Sequence, residues 1–161
     1  MNNIFKIVVC GVIKHQDRYL ILQRSETDDV LPGIWEFPSG NIEFKEGIAQ
    51  GLSREISEET GIQISATEKY PIIGYSEYSS QKGDVYKETI QLNHLINLSK
   101  KPEVIISSEH SHFDWATRDD PRMDKFLQEI FEQEDRFLKI KDKSQKIAKI
   151  TQLKNMARQK D

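Results

Sequence analysis

The sequence predicts an α/β domain in which a sheet is layered with helices, and three observations carry that reading. Short β-branched runs bounded by turn residues recur through the first hundred positions. Between Ile48 and Thr60 the spacing of apolar residues becomes helical. After the last strand-like run, Met123, Phe126, Leu127, Ile130 and Phe131 recur at the spacing of a second amphipathic helix. Strands interleaved with two helices bury their apolar faces best as layers. The 161 residues suit one domain, and 37% hydrophobic with 30% charged residues suits a single core under a polar surface.

Each element follows from its residues. Ile4 to Ile13 (IFKIVVCGVI) and Tyr19 to Gln23 (YLILQ) flank the polar His15 to Arg18, which reads as a hairpin. Asp28 to Gly33 is a loop with a turn at Pro32-Gly33, and Trp35 to Gly40 (WEFPSG) is a short extended piece closed by Pro and Gly. Ile48 to Thr60 is the first helix, with Gly61 as its stop. Ile62 to Ile64, Tyr70 to Tyr78 and Val85 to Leu98 are further strands, with a turn at Lys82-Gly83-Asp84, and Phe113 to Ala116 is the last. Asp119-Asp120-Pro121 offers an N-cap followed by proline at the first position of the second helix.

Composition excludes several function classes. The longest apolar run, Ile7 to Ile13, is a strand's length, well short of the ~20 residues that a spanning helix needs, and the mean hydropathy is -0.63. No small-residue cleavage site follows the run, so the expectation is a cytoplasmic protein without a membrane partner. The single cysteine, Cys10, excludes an internal disulfide and a cysteine-based zinc site. A net charge of -3 gives no global pull toward nucleic acid. The composition shifts at the end, giving residues 1–137 as the domain and 138–161 as a basic C-terminal tail or helix. That tail has eight Lys or Arg against two acids, with Ile140, Ile147, Ile150, Leu153 and Met156 at roughly helical spacing. A solvated helix is the first reading of it. A basic arm for nucleic acid or anionic lipid, or a dimer-forming helix, are the others, so the oligomeric state stays open.

Residues 40–62 (GNIEFKEGIAQGLSREISEETGI) carry the chemistry. At ~100° per residue, Ile48, Ala49, Leu52 and Ile56 share one core-facing arc. Glu55 and Glu58 lie beside that arc and Glu59 on its edge, where partial burial makes their mutual repulsion costly. The helix dipole disfavours acids in its last turn by ~0.3–1 kcal/mol each, and an Arg54–Glu58 contact returns only ~0.2–0.5 kcal/mol. A bound hard cation is the simplest compensation, and all-oxygen ligands suit Mg²⁺ or Mn²⁺. Glutamate pairs on helices mostly face solvent, so the wider spacing decides. It runs Gly40, five residues, Glu46, seven residues, Arg54-Glu55-Ile56, one residue, Glu58-Glu59, one residue, Gly61-Ile62.

That spacing matches the Nudix box, and the sequence resembles the Nudix hydrolases, which hydrolyse a nucleoside diphosphate linked to another group. The likeness extends over roughly residues 4 to 132 and leaves the basic tail outside. It implies a mixed-sheet α/β/α sandwich whose loop–helix–loop holds a divalent metal, Mg²⁺ or Mn²⁺, against a diphosphate. By the same resemblance Glu55, Glu58 and Glu59 look like metal-binding carboxylates and Gly40 like the residue whose carbonyl joins them. Glu46 and Arg54 look like residues that orient the glutamates. Glu109, in Glu-His-Ser-His-Phe-Asp-Trp, sits where the family often has a further glutamate as metal ligand or general base, and the alternative is an ordinary loop acid. Glu55 is the first choice of base and Glu109 its competitor. For His110 and His112 a surface or satisfied loop histidine is favoured over a catalytic one.

Trp35-Glu36-Phe37-Pro38 resembles the subgroup acting on nucleoside triphosphates, in which Gly-Gly usually follows; here Ser39 replaces the first glycine. Trp35 and Phe37 alternate, so one can stack on a base while the other packs inward, or both can be core. Tyr78 lies near the position of a tyrosine in dinucleoside polyphosphate hydrolases. The resemblance implies hydrolysis of a nucleoside triphosphate, or a related small nucleotide, to a monophosphate and pyrophosphate by metal-activated water. A dinucleoside polyphosphate or RNA 5′-end pyrophosphohydrolase and a non-catalytic nucleotide-sensing module are the alternatives.

Overall fold

The long strand β1 (Asn2–His15) is the member on which the sheet is assembled. Its residues alternate sides, Val9 and Ile13 to one face and Cys10 and Val12 to the other, and all four are buried. A strand covered on both faces reads as a continuous apolar run, which is what residues 7–13 showed in the sequence. The computed structural model describes residues 2–27 and 31–158, the last six by backbone only, so the tip of the loop at 28–30 and the side chains of Leu153 and Met156 lie outside the described residues.

β2 (Arg18–Arg24) meets β1 only at Lys14↔Tyr19 and His15↔Arg18, then diverges. The hairpin therefore opens, and β4 (Ser39–Asn41) pairs antiparallel with β1 at Val8 to Cys10. β3 (Trp35–Glu36) and β7 (His110–Ala116) both pair antiparallel with β2. On the far side of β1, β6 (Val85–Asn97) runs parallel to it over thirteen residue pairs, and β5 (Ile72–Lys82) closes the sheet antiparallel to β6. The mixed sheet has the order β3-β2-β1-β6-β5, with β4 and β7 branching from β1 and β2.

A helix covers each face. α1 (Ile48–Thr60) buries Leu52 and Ile56 against Val9, Ile13, Leu20, Leu22, Ile96 and Trp115. α2 (Lys125–Arg158) buries Leu127, Ile130 and Phe131 against Cys10, Val12, Tyr19, Ile21 and Phe37. This is the expected α/β/α sandwich. Among the described residues no helix is long and apolar enough to cross a membrane.

Three expectations are corrected. Residues 62–64 form no strand: Ile62 is buried beside α1, and its N–H donates to Thr60 Oγ1 at 3.2 Å, so a side chain and not a neighbouring strand satisfies it. The extended piece at 35–40 is two strands, because Pro38 has no N–H to give to a ladder. The second helix starts at Lys125, with Asp124 as its cap accepting the Leu127 N–H at 2.9 Å. Asp120 instead closes a turn by accepting the Arg122 N–H at 3.0 Å. Once begun, α2 runs unbroken past residue 137; from Leu138 to residue 152 its side chains are exposed.

Candidate active site

The site is built where β4 hands over to α1. Gly47 caps α1 with extended backbone, its N–H donating to Gln50 Oε1 at 3.0 Å, and Gly61 ends it in the left-handed conformation (φ 70°) with its N–H on Ser57 O. Those stops bracket the predicted helix and fix which side chains project over β4.

Arg54 is the hub. Its Nε and Nη2 donate to the two carboxylate oxygens of Glu46 at 2.8 and 2.9 Å, the planar fork that only arginine offers. Nη2 also donates to the Asn41 carbonyl at 2.8 Å, while Nη1 reaches Glu55 at 2.7 Å and Glu58 at 3.1 Å. The helix is thereby tied to both the loop before it and β4. Arg54 draws the Glu46 carboxyl down to about 2.

The three glutamates sit in different surroundings. Glu58 is the most exposed, its side chain 59% accessible. Glu55 packs its carboxylate against the Cα of Gly40, leaving no space for a side chain there, and burial holds its carboxyl above the usual range against the pull of Arg54. Glu59 is buried under β4, with Oε2 accepting the Ser39 N–H at 2.8 Å. Burial, reinforced by the negative charges of Glu36, Glu55 and Glu109, pushes it up to about 9. Among the described residues no three acids or histidines already converge as a cation cage. Arg54 holds Glu55 and Glu58, and Ser39 holds Glu59.

Glu109 is exposed at the start of β7, and its carbonyl accepts the Ser25 N–H at 2.8 Å. The aromatic pair divides: Phe37 is buried against Tyr19 and Phe131, so it packs inward and is not open to a base. Trp35 is half-buried, with the Arg122 guanidinium 4.7 Å from its ring centre. His112 is exposed, whereas His110 is buried. Three residues drawn together here were assigned no joint role from sequence. Arg24 Nη1 donates to Glu36 Oε1 at 2.9 Å, and His110 Nε2 lies 3.2 Å from the same oxygen. The available signal was alternation: Glu36, between Trp35 and Phe37, must face the side opposite the aromatics.

A family model described as the NUDIX domain matches residues 5–137. The nucleoside triphosphatase NudI of Escherichia coli O139:H28 (strain E24377A / ETEC) is 31% identical over 118 residues, covering 71% of this chain and 84% of that protein. Among solved structures, the MutT protein of Methanosarcina mazei Go1 superimposes with a TM-score of 0.64 at 22% identity, over 88% of this chain and 98% of that one. An Ap4A hydrolase of C. elegans superimposes with a TM-score of 0.61 at 18% identity, over 83% and 97% of the respective chains. The two structural likenesses are of fold.

Proposed function

The chain belongs to the Nudix family, and from that premise we propose that it is a divalent-cation-dependent pyrophosphohydrolase of nucleoside triphosphates. Water attacks a phosphorus of the substrate, the phosphoanhydride bond breaks, and a nucleoside monophosphate, pyrophosphate and a proton leave. The observation that supports this most is the acid cluster around Glu59, whose carboxyl is displaced to about 9 by burial and by its acidic neighbours. Such crowding costs stability unless protons or a cation relieve it. The donors are all oxygen, which fits Mg²⁺ or Mn²⁺. Glu55, Glu58 and Glu59 would hold the ion, with the Gly40 carbonyl and Glu109 as further oxygens. When bound, it neutralises phosphate charge and lowers the pKa of the attacking water.

The protein's own groups do the rest. Arg54 aims Glu55 and Glu58, and it must hand them over to the ion, which the single Nη1 shared between them makes easier than a bidentate grip would. Glu46 keeps the guanidinium in place while that happens. Glu55, whose carboxyl burial holds above its ordinary range, is the base that takes the water's proton, with Glu109 as the competing candidate. Trp35 borders the substrate. A nucleotide-rich compartment, the cytoplasm, is the location this reading implies. The dinucleoside polyphosphate alternative draws on Tyr78, which is exposed with its ring set edge-on to Phe126 at 6.0 Å.

A screen of nucleoside di- and triphosphates, sugar nucleotides and dinucleotides with Mg²⁺ or Mn²⁺ identifies the substrate by pyrophosphate and monophosphate release. Glu58→Gln is expected to lower kcat by at least about a hundredfold. Its thermal midpoint should stay near that of the parent, since an exposed ion pair contributes little. Parent-like turnover in Glu58→Gln would refute the assignment.

A further inference from the structure

We propose that a groove along α1, walled by Phe44, is a second binding subsite that takes the base of a second nucleoside at the far end of a polyphosphate. The inference deepens the hydrolase reading and rests on it, because it takes the polyphosphate to lie on Glu55, Glu58 and Glu59. The groove has a volume of about 550 Å³, within the range of small-molecule sites. Phe44, Lys45, Gln50, Ser57 and Gln63 line it together with Arg54.

Its place follows from the turn of the helix. At ~100° per residue, Gln50, Arg54 and Ser57 share one arc of α1. Glu58 is the next side chain round the helix from Arg54, and Glu55 and Glu59 follow beyond it. Arg54 belongs to both regions: it lines the groove, and its Nη1 donates to Glu55 and Glu58. A phosphate chain that leaves the acids past the exposed Glu58 enters the groove.

The lining has the chemistry of a nucleoside site. Phe44 is 91% exposed, so the fold itself gains little from its ring, and an aromatic ligand that covers it supplies the missing partner. Lys45 sets its ammonium 5.5 Å from the centre of that ring. Its backbone is left-handed (φ 67°), a conformation that glycine adopts without strain. A cationic side chain is therefore kept where the backbone favours none, and it faces the path of a phosphate. The polar groups have capacity to spare. Gln50 commits Oε1 to the Gly47 N–H, which leaves its amide donors. Gln63 commits its amide nitrogen to Ser57 Oγ at 2.7 Å, which leaves its carbonyl oxygen and the Ser57 hydroxyl proton. A ring for stacking beside donors and an acceptor is how proteins hold an unpaired base. A mononucleotide, with nothing beyond its phosphates, leaves that ring uncovered.

The test uses the full chain and methylene-bridged tetraphosphates bearing one nucleoside or two, in adenosine and guanosine forms. Their Kd values are measured by calorimetry with Mg²⁺. For at least one base the parent is expected to bind the two-nucleoside form about tenfold more tightly, the gain of stacking one base on an aromatic side chain. Phe44→Ala should bring that ratio close to one, and Phe44→Trp, which offers a stacking face again, should restore it. Lys45→Gly should also lower the ratio, without lowering the thermal midpoint, because glycine relieves the backbone. A parent ratio close to one for both bases would overturn the proposal. So would a ratio that Phe44→Ala leaves unchanged, or a loss that Phe44→Trp does not restore, which is what a purely structural ring gives. A parent that hydrolyses no nucleotide yet shows the Phe44-dependent ratio defeats the hydrolase reading alone. One that hydrolyses mononucleotides without any such ratio defeats the subsite alone.

Discussion

Arg54 makes five hydrogen bonds to four residues, and each partner constrains a different part of the site. The acid it does not reach, Glu59, gives the clearest pH signature. Its carboxyl lies near 9 in the folded protein against an ordinary 4.5, so the folded state keeps a proton that the unfolded chain releases above 4.5. That contribution to stability is complete below 4.5 and is lost as pH rises through about 9. In EDTA the thermal midpoint should therefore fall between about pH 5 and pH 8.5, and Glu59→Gln should flatten the decline. Mg²⁺ should flatten it too, by favouring the ionised form. A midpoint that rises over this window, or an equal decline in Glu59→Gln, would count against the assignment. At this scale the glutamates were legible because one helix carries them at fixed spacing. Arg24, Glu36 and His110 were not, since they come from three strands and meet only through a bulge that no local pattern announces.

Whole elements were legible where periodicity was strong and local. α1 begins and ends where its apolar arc and Gly61 place it. Ile62 to Ile64 looked like a strand because a single apolar–polar–apolar alternation, Ile62-Gln63-Ile64, is too short to distinguish a strand from a buried connection. The start of α2 slipped because two aspartates, Asp120 and Asp124, each offer a cap, and only the packing of Leu127 chooses between them. What anchors α2 was also invisible in sequence: Glu134, 1% exposed, accepts from Tyr19 Oη at 2.7 Å and Arg118 Nη2 at 2.6 Å, with Lys14 Nζ at 3.4 Å. Replacing it leaves those donors facing a buried gap. Glu134→Ala is expected to cost about 3 kcal/mol, the lower end for a broken buried pair because Arg118 is one-third exposed. Urea unfolding monitored by tryptophan fluorescence measures it, and a loss below about 1 kcal/mol would show the contact to be incidental.

Taken as one molecule, the sandwich and its long second helix make unequal demands on the chain. Beyond Leu138 the described side chains of the helix are exposed, and five lysines between residues 139 and 149 are among them. Ending the chain at Leu138 should shift the thermal midpoint by no more than about 2 °C. It should also leave kcat/KM for a mononucleotide unchanged. A lower kcat/KM confined to RNA 5′ ends, with a flatter salt dependence, would instead assign the helix to a polyanionic partner. The sandwich itself depends on the parallel pairing of β1 with β6, whose residues lie some eighty positions apart. On the ribosome, β1 therefore emerges long before the neighbour that completes it, and at about 5–20 residues per second the delay is roughly 4–16 s. Throughout that interval the edge of β1 that β6 covers is open, so the yield of active protein from a cell should depend on chaperone supply and translation speed more steeply than its equilibrium stability alone implies.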